Sequence, residues 1–376
     1  MSITRGKVRK SARAREYPAM RIAQVAPLYE SVPPKLYGGT ERVVSYLTEE
    51  CVRQGHEVTL FASGDSHTRA RLRPVCAGAL RFASAKLRDP LAQHMRMIEM
   101  VARERRAFDV VHFHIDYLHF PVTRRDRIPA LTTLHNRQDI PDLHRLYREY
   151  RDMKLVSISD AQREPMPWAN WLGTVYHGLP EDLYEARTKP GTYLAFLGRI
   201  SPEKRVDRAI EIAKRAGIPL KIAAKVDEAD KGYFDSRICK LLSHPLIEFV
   251  GEISERQKCG FLADASALLF PVDWPEPFGL VMAESLACGT PIVAYRAGSV
   301  PEVIDDGKTG YIVENLDQAV DAVRRIGELD REACRRAFEE RFSARRMCHD
   351  YLALYRSLCN RTRELTSRPL RSQASV

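Results

Sequence analysis

The chain has 376 residues, 44% of them hydrophobic and 29% charged, with a formal net charge of +10. That is the composition of a folded globular protein, and the length exceeds what one core usually serves, so two domains of roughly 170 to 190 residues are expected. No run approaches about 18 uninterrupted apolar residues, and no apolar segment follows the basic N-terminus; a spanning helix and a secretory leader are therefore not expected, and the cytoplasm is the expected compartment.

The charge sits at the two ends. Residues 1–19 carry six Lys or Arg against one Glu, a net +5, and residues 361–376 carry four Arg against one Glu, a net +3, which leaves +2 for the body. A specific nucleic-acid face is not expected, because such a face needs a basic footprint. The two tails read as solvated, disordered arms and as candidate peripheral contacts with the inner face of an anionic membrane. Met20 is a second candidate start. The eight cysteines are scattered, with no paired or zinc-like spacing, so reduced core thiols are expected.

From residue 20 the chain alternates strand-like and helix-like patterns. RIAQVAPL (21–28), EVTLFAS (57–63), DVVHFH (109–114), ALTTLH (130–135), KLVSIS (154–159) and TVYHG (174–178) read as buried parallel strands, with helical periodicity at 40–54, 92–106 and 142–150. A first βα domain over 20–180 follows. Residues 181–191 are rich in Pro, Gly and charge and read as a linker. The pattern then restarts with strands at 192–200, 220–225, 247–251, 265–271, 291–296 and 310–313, and helices near 205–216, 254–263, 279–288 and 315–327. This second βα domain covers 192–342, and a helix over 343–360 is placed to pack back on the first domain. The fold class is α/β: two doubly wound, Rossmann-like domains facing each other across a cleft, where ligands of open α/β sheets bind.

Four stretches carry chemistry. YGGTERVVSYL (37–47) sets Gly38 and Gly39 between a strand and a helix, where bare backbone can approach a phosphate. HFHIDYLH (112–119) puts His112 and His114 on one strand face, but no carboxylate or cysteine completes a metal set, so no metal is expected. GRISPEKRVD (198–207) places Arg199 and Lys204 beside an expected helix start capped by Ser201. Cations there oppose the helix dipole unless an anion arrives, so an anion site is expected; pairing with Glu203 or Asp207 is the alternative. In EPFGLVMAE (276–284), Pro277 and Gly279 keep Glu276 in a loop, whereas Glu284 falls inside an apolar helix and needs a partner, either a ligand hydroxyl or a backbone amide.

LGRISPEKRVD, HPLIEFVGEIS and PEPFGLVMAESLACGTPIVAYRAGSVPEVIDDGKTGYIV resemble glycosyltransferase family 4, continuously from about 192 to 325. A glutamate, seven residues and a second glutamate are that family's signature among retaining nucleotide-sugar transferases of GT-B architecture. The resemblance implies a metal-independent transfer of a sugar from a nucleoside-diphosphate donor to a hydroxyl of a carbohydrate, lipid-linked or small-molecule acceptor, with no cofactor. It implies that Arg199 and Lys204 hold the diphosphate, Glu284 the ribose and Glu276 the sugar. Amides of Phe278, Gly279 and Leu280 would meet sugar or phosphate oxygens, Val250 and Gly251 would border the base, and the Gly38–Gly39 loop would close on the diphosphate. His114 matches the family histidine that reaches the donor sugar. The chain departs from the family at Arg205, where glycine is frequent, and at HGLPEDLY (177–184) in place of an Asn-Gly-x-Asp turn. A nucleotide-sugar epimerase or a non-catalytic nucleotide-sugar binder of the same fold is the alternative.

Overall fold

The computed structural model describes residues 18–36, 38–82 and 89–367; most of both basic tails lies outside them. The first sheet is built from β1 (Arg21–Val25), α1 (Gly39–Arg53), β2 (Glu57–Ala62), β3 (Arg71–Pro74), α2 (Pro90–Glu104), β4 (Val110–Phe113), α3 (Phe120–Asp126), β5 (Ala130–Thr133), α4 (Pro141–Glu149), β6 (Leu155–Ser157) and β7 (Trp171–Thr174). Its seven strands are parallel, in the order β3-β2-β1-β4-β5-β6-β7.

The second unit runs β8 (Tyr193–Arg199), α5 (Val206–Ala216), β9 (Leu220–Lys225), α6 (Lys231–Tyr233), β10 (Ile247–Gly251), α7 (Glu255–Ala263), β11 (Ala265–Phe270), α8 (Leu280–Ala287), β12 (Ile292–Tyr295), α9 (Val300–Val303), β13 (Gly310–Val313) and α10 (Leu316–Arg324). Its sheet is parallel as well, in the order β10-β9-β8-β11-β12-β13. Strand order reverses between β1 and β4 and between β8 and β11, so each sheet opens a crevice at the carboxyl ends of those strands. The two doubly wound sheets read from the sequence are both present.

Burial on both faces explains the unbroken apolar strands. In β11, Ala265, Leu268 and Phe270 join the core beneath α8, while Ala267 and Leu269 join the core beneath α5 and α10. The last two helices, α11 (Arg331–Arg341) and α12 (Ala344–Ser367), cover separate ground. Met347, Cys348, Tyr351, Leu352 and Tyr355 of α12 pack with Val43, Leu47 and Cys51 of α1 and with Ile22 and Val110 of the first sheet. The crossing is pinned at Leu179, whose N–H donates to Phe342 O at 2.9 Å and whose carbonyl accepts from Ala344 N–H at 2.7 Å.

The structure differs from the sequence reading in local detail. β3 (RLRP) has no apolar run because it is the exposed edge of its sheet. The last strand of the first sheet is 171–174, not 174–178, which frees His177 for the connection between the sheets. Helix α12 runs on to Ser367, past the expected start of the tail at 361. No described helix is long and apolar enough to cross a membrane.

Candidate functional site

His114, Arg199, Lys204, Val250, Gly251, Glu276 and Phe278 lie at the carboxyl end of a strand or in the loop that follows it, whereas Gly39 opens α1, Leu280 opens α8 and Glu284 lies inside α8. Arg199 closes β8, and the chain then makes a 3-10 turn over Pro202–Lys204 before α5. Ser201 makes no side-chain cap, and the helix expected to start behind it begins only at Val206, after Arg205, which adopts a left-handed backbone, φ 53°. That is a conformation glycine favours, which accounts for the glycine frequent in the family at this position. Arg199 Nη2 donates to Glu203 at 2.6 Å, and its Nε lies 3.4 Å from Asp230. Arg205 pairs with Asp207 and Asp273 at 2.8 and 2.7 Å.

Lys204 instead reaches across to Glu276. Its ammonium donates to Oε2 of that buried carboxylate, which also accepts from Trp274 Nε1 at 2.9 Å, while the Trp274 ring centre lies 5.0 Å from Lys204 Nζ. Lys204, Trp274 and Glu276 thus form one unit. The loop carrying Glu276 is fixed from behind: Ser299 N–H donates to Glu276 O at 3.0 Å, and Ser299 Oγ donates to Phe278 O at 2.9 Å. Gly298 is required there, since a Cβ would stand 2.3 Å from Glu276 O. Gly279, φ 72°, then starts α8, whose first residue is Leu280.

Glu284, 2% exposed, accepts from Lys258 Nζ of α7 at 2.8 Å, so its protein partner is a lysine side chain and not a backbone amide. Lys258 also lies 3.3 Å from Glu255, and Glu255 pairs with Arg42 of α1 and accepts from Tyr184. A chain of alternating charges therefore joins Glu284 to the helix that Gly38 and Gly39 begin. Gly38 is the N-cap of α1, where a Cβ would fall 2.7 Å from Pro34 Cβ. Val250, 42% exposed, and Gly251, φ 82°, end the edge strand β10.

On the first sheet, His114 follows β4 and His135 follows β5. His114 is buried with both ring nitrogens bonded, Nε2 at 2.9 Å from Gln24 Oε1 and Nδ1 at 2.9 Å from His135 Nε2. Burial pushes His114 far below the usual imidazole range, with neighbouring histidines adding to the effect, and pushes His135 down to about 3, so both are neutral at physiological pH. His112 is buried as well, bonded to Tyr355 and Thr133. Across the cleft, the Phe278 ring meets His177 at 4.9 Å and the Trp274 ring lies 5.7 Å from the Arg137 guanidinium. Among the described residues, no three His, Cys, Asp or Glu side chains gather as a metal set.

The structure brings Lys204 and Glu276 into contact, with Arg199 in the strand end that leads into the same turn. It also shows residues that pattern reading passed over. Lys258, Glu255 and Arg42 lie in unremarkable helical charge patterns, and only their pairing in space marks them. Trp274 adjoins the EPFG run, and an indole there was the one available signal.

Two parallel sheets with opposed crevices, a basic turn after β8 and a buried glutamate in α8 define a protein of the GT-B glycosyltransferase fold. A solved glycosyltransferase involved in avilamycin A biosynthesis superposes with a TM-score of 0.69, at 23% identity, covering 91% of this chain and 98% of that one. The family described as "Glycosyltransferase Family 4" matches residues 37–171, and "Glycosyl transferases group 1" matches 185–341. The chain belongs to the family 4 glycosyltransferases. Among curated relatives it is similar to the GDP-mannose-dependent alpha-(1-6)-phosphatidylinositol dimannoside mannosyltransferase of Mycobacterium tuberculosis, 35% identical over 175 residues, 45% of each chain. The match thus spans about half the length of that relative. It is also similar to the N-acetyl-alpha-D-glucosaminyl L-malate synthase of Bacillus anthracis, 27% identical over 364 residues, 85% of this chain and 93% of the other.

Proposed function

We propose that this protein transfers a sugar from a nucleoside-diphosphate donor to an acceptor hydroxyl, with retention at the anomeric carbon and without a metal ion. The acceptor is a carbohydrate, a lipid-linked molecule or a small molecule that offers a hydroxyl. The observation that carries the reading is the Lys204–Glu276 contact, one cation and one carboxylate brought from separate strand ends to a single point.

As the glycosidic bond lengthens, the leaving diphosphate gains negative charge, and fixed cations aimed at it lower the barrier. Arg199, Lys204 and the amides of Gly38 and Gly39 supply that positive field. Lys204, bonded to Glu276, is the cation assigned to the phosphate, so it couples leaving-group charge to the carboxylate that orients the sugar. Glu276, held by two donors, is suited to positioning rather than attack, which favours a reaction on the face from which the diphosphate leaves. Glu284, deeper along α8, takes the ribose hydroxyls by exchanging or sharing its bond to Lys258. Amides of Phe278, Gly279 and Leu280 meet sugar or phosphate oxygens, and Val250 and Gly251 border the base. The reaction is placed in the cytoplasm, with the basic tails as peripheral contacts at an anionic membrane.

The test is incubation of the full chain with UDP-, GDP- and ADP-sugars and a set of hydroxyl acceptors in excess EDTA, read by mass spectrometry and by NMR of the anomeric proton. Acceptor-dependent release of one nucleoside diphosphate with retention is expected. Inversion, dependence on added metal, or sugar isomerisation without transfer would each overturn the corresponding part of the reading.

A further inference from the structure

Glu302, in α9 of the second domain, reaches into the first. Its two oxygens take the leading amides of the 3-10 turn that follows β6: Asp160 N–H donates to Oε2 at 2.7 Å and Ala161 N–H to Oε1 at 2.8 Å. A helical turn leaves its leading amides without internal partners, and a carboxylate binds them more strongly than a neutral acceptor would. Tyr176, in the connection between the sheets, donates its hydroxyl to Oε2 at 3.1 Å. Three donors from the first domain thus converge on one side chain of the second.

Each end of this contact continues into a wall of the cleft. On the second domain, Glu302 N–H donates to Ser299 O at 2.9 Å, and Ser299 is the residue that holds Glu276 O and Phe278 O. Val300 and Val303 of α9 are fully buried in the core that includes Phe278 and Met282, so α9 and the Glu276 loop form one packed body. Arg341 of α11 holds the same short helix from the other side, donating to Glu302 O and, at 2.9 Å, to Asp305 Oδ1. On the first domain, Gln162 lies buried in the gripped turn and donates from Nε2 to Leu134 O at 2.9 Å and to Asn136 O at 2.8 Å. Those carbonyls belong to the loop after β5, whose Arg137 lies over the Trp274 ring. One carboxylate therefore ties the loop that carries Glu276 to the loop that faces it.

We propose that Glu302 is a positioning residue for the transfer: its bonds to Asp160 and Ala161 strap the two domains together and, through Ser299, fix the Glu276 loop while the strap is made. Glu302 acts through Glu276 and not on the sugar. A cleft held shut keeps water from the donor, so the strap favours transfer over hydrolysis. The effect on turnover rests on the nucleotide-sugar reading, whereas the strap itself does not.

The test pairs small-angle X-ray scattering of the full chain, free of nucleotide, with titration calorimetry of UDP, GDP and ADP. Turnover is measured on the donor and acceptor returned by the incubation above and divided into transfer and hydrolysis. Glu302→Ala removes all three bonds, Glu302→Gln keeps the shape but only one acceptor oxygen, and Tyr176→Phe removes a single bond. Both Glu302 variants should show a larger radius of gyration, a kcat lower by about tenfold and a larger share of hydrolysis, at a nucleoside-diphosphate affinity within about twofold of wild type. Tyr176→Phe should change each quantity less, in the same direction. A loss of stability alone would not move the ratio of hydrolysis to transfer. Wild-type dimensions and turnover in both Glu302 variants would overturn the proposal. Lower turnover at unchanged dimensions would make the role of Glu302 local and overturn the strap, and expansion at wild-type kcat would overturn the link to Glu276. If Glu302→Ala fails to fold, the other two variants decide by the same criteria. Absence of any nucleotide binding by the wild type would overturn the nucleotide-sugar reading instead, and scattering alone would still decide the strap.

Discussion

Asp116 ends the HFHID stretch in left-handed backbone, φ 50°, and burial pushes its carboxyl up to about 6 against the lowering effect of a hydrogen bond from Asn136 Nδ2 at 3.0 Å. Because the folded value lies above the usual carboxylate value near 4, the folded state holds this proton more tightly. Its contribution to stability is therefore present at pH 4 and is lost as pH rises toward 6. Asn tolerates left-handed backbone and carries no charge, so Asp116→Asn should stabilise the protein at pH 7, by at most about 2 kcal/mol, and change little at pH 4. Melting temperatures at the two pH values check this; an equal shift at both would assign the effect to backbone alone. Arg205 shows the other side of left-handed backbone. Its conformation explains why glycine is frequent in the family, yet an arginine sits there, bonded to Asp207 and Asp273, which no reading of charge pattern would separate from ordinary surface pairing.

At the scale of elements, the start of α8 matters most. Gly279 turns the chain from the Glu276 loop into the helix at φ 72°, and a Cβ there would lie 2.7 Å from Met282 Cε and 3.0 Å from Phe270 Cζ. Gly279→Ala should therefore cost roughly 1–3 kcal/mol in stability and displace the loop amides. Nucleoside-diphosphate affinity should fall as well, and unchanged affinity at a reduced melting temperature would separate this turn from the donor site. Helix α12 follows a different logic: its apolar face packs on α1 and β4, so it is a part of the first domain supplied by the end of the chain. That packing places Tyr355 against Gln24 and His112.

For the whole molecule, the two sheets and most of their strands were legible because parallel strands buried on both faces leave continuous apolar runs. Edge strand β3, wet on one side, left none. The glycine pair, Arg199, Lys204, Glu276 and Glu284 were legible because turn residues and charges stand out against those runs. Their partners were not. Lys258 for Glu284, Trp274 for Glu276 and His135 for His114 depend on which strand ends the topology brings together, and spacing along the chain carries no trace of that. The central claim is that Arg199 and Lys204 bind a nucleoside diphosphate in the cleft. Titration calorimetry of UDP, GDP and ADP in EDTA, with wild type and with Arg199→Ala/Lys204→Ala, tests it directly. One nucleotide should bind the wild type, and the double variant should bind it about a hundredfold or more weakly, from the loss of two charged hydrogen-bond donors. Binding of equal strength to both proteins would contradict the account.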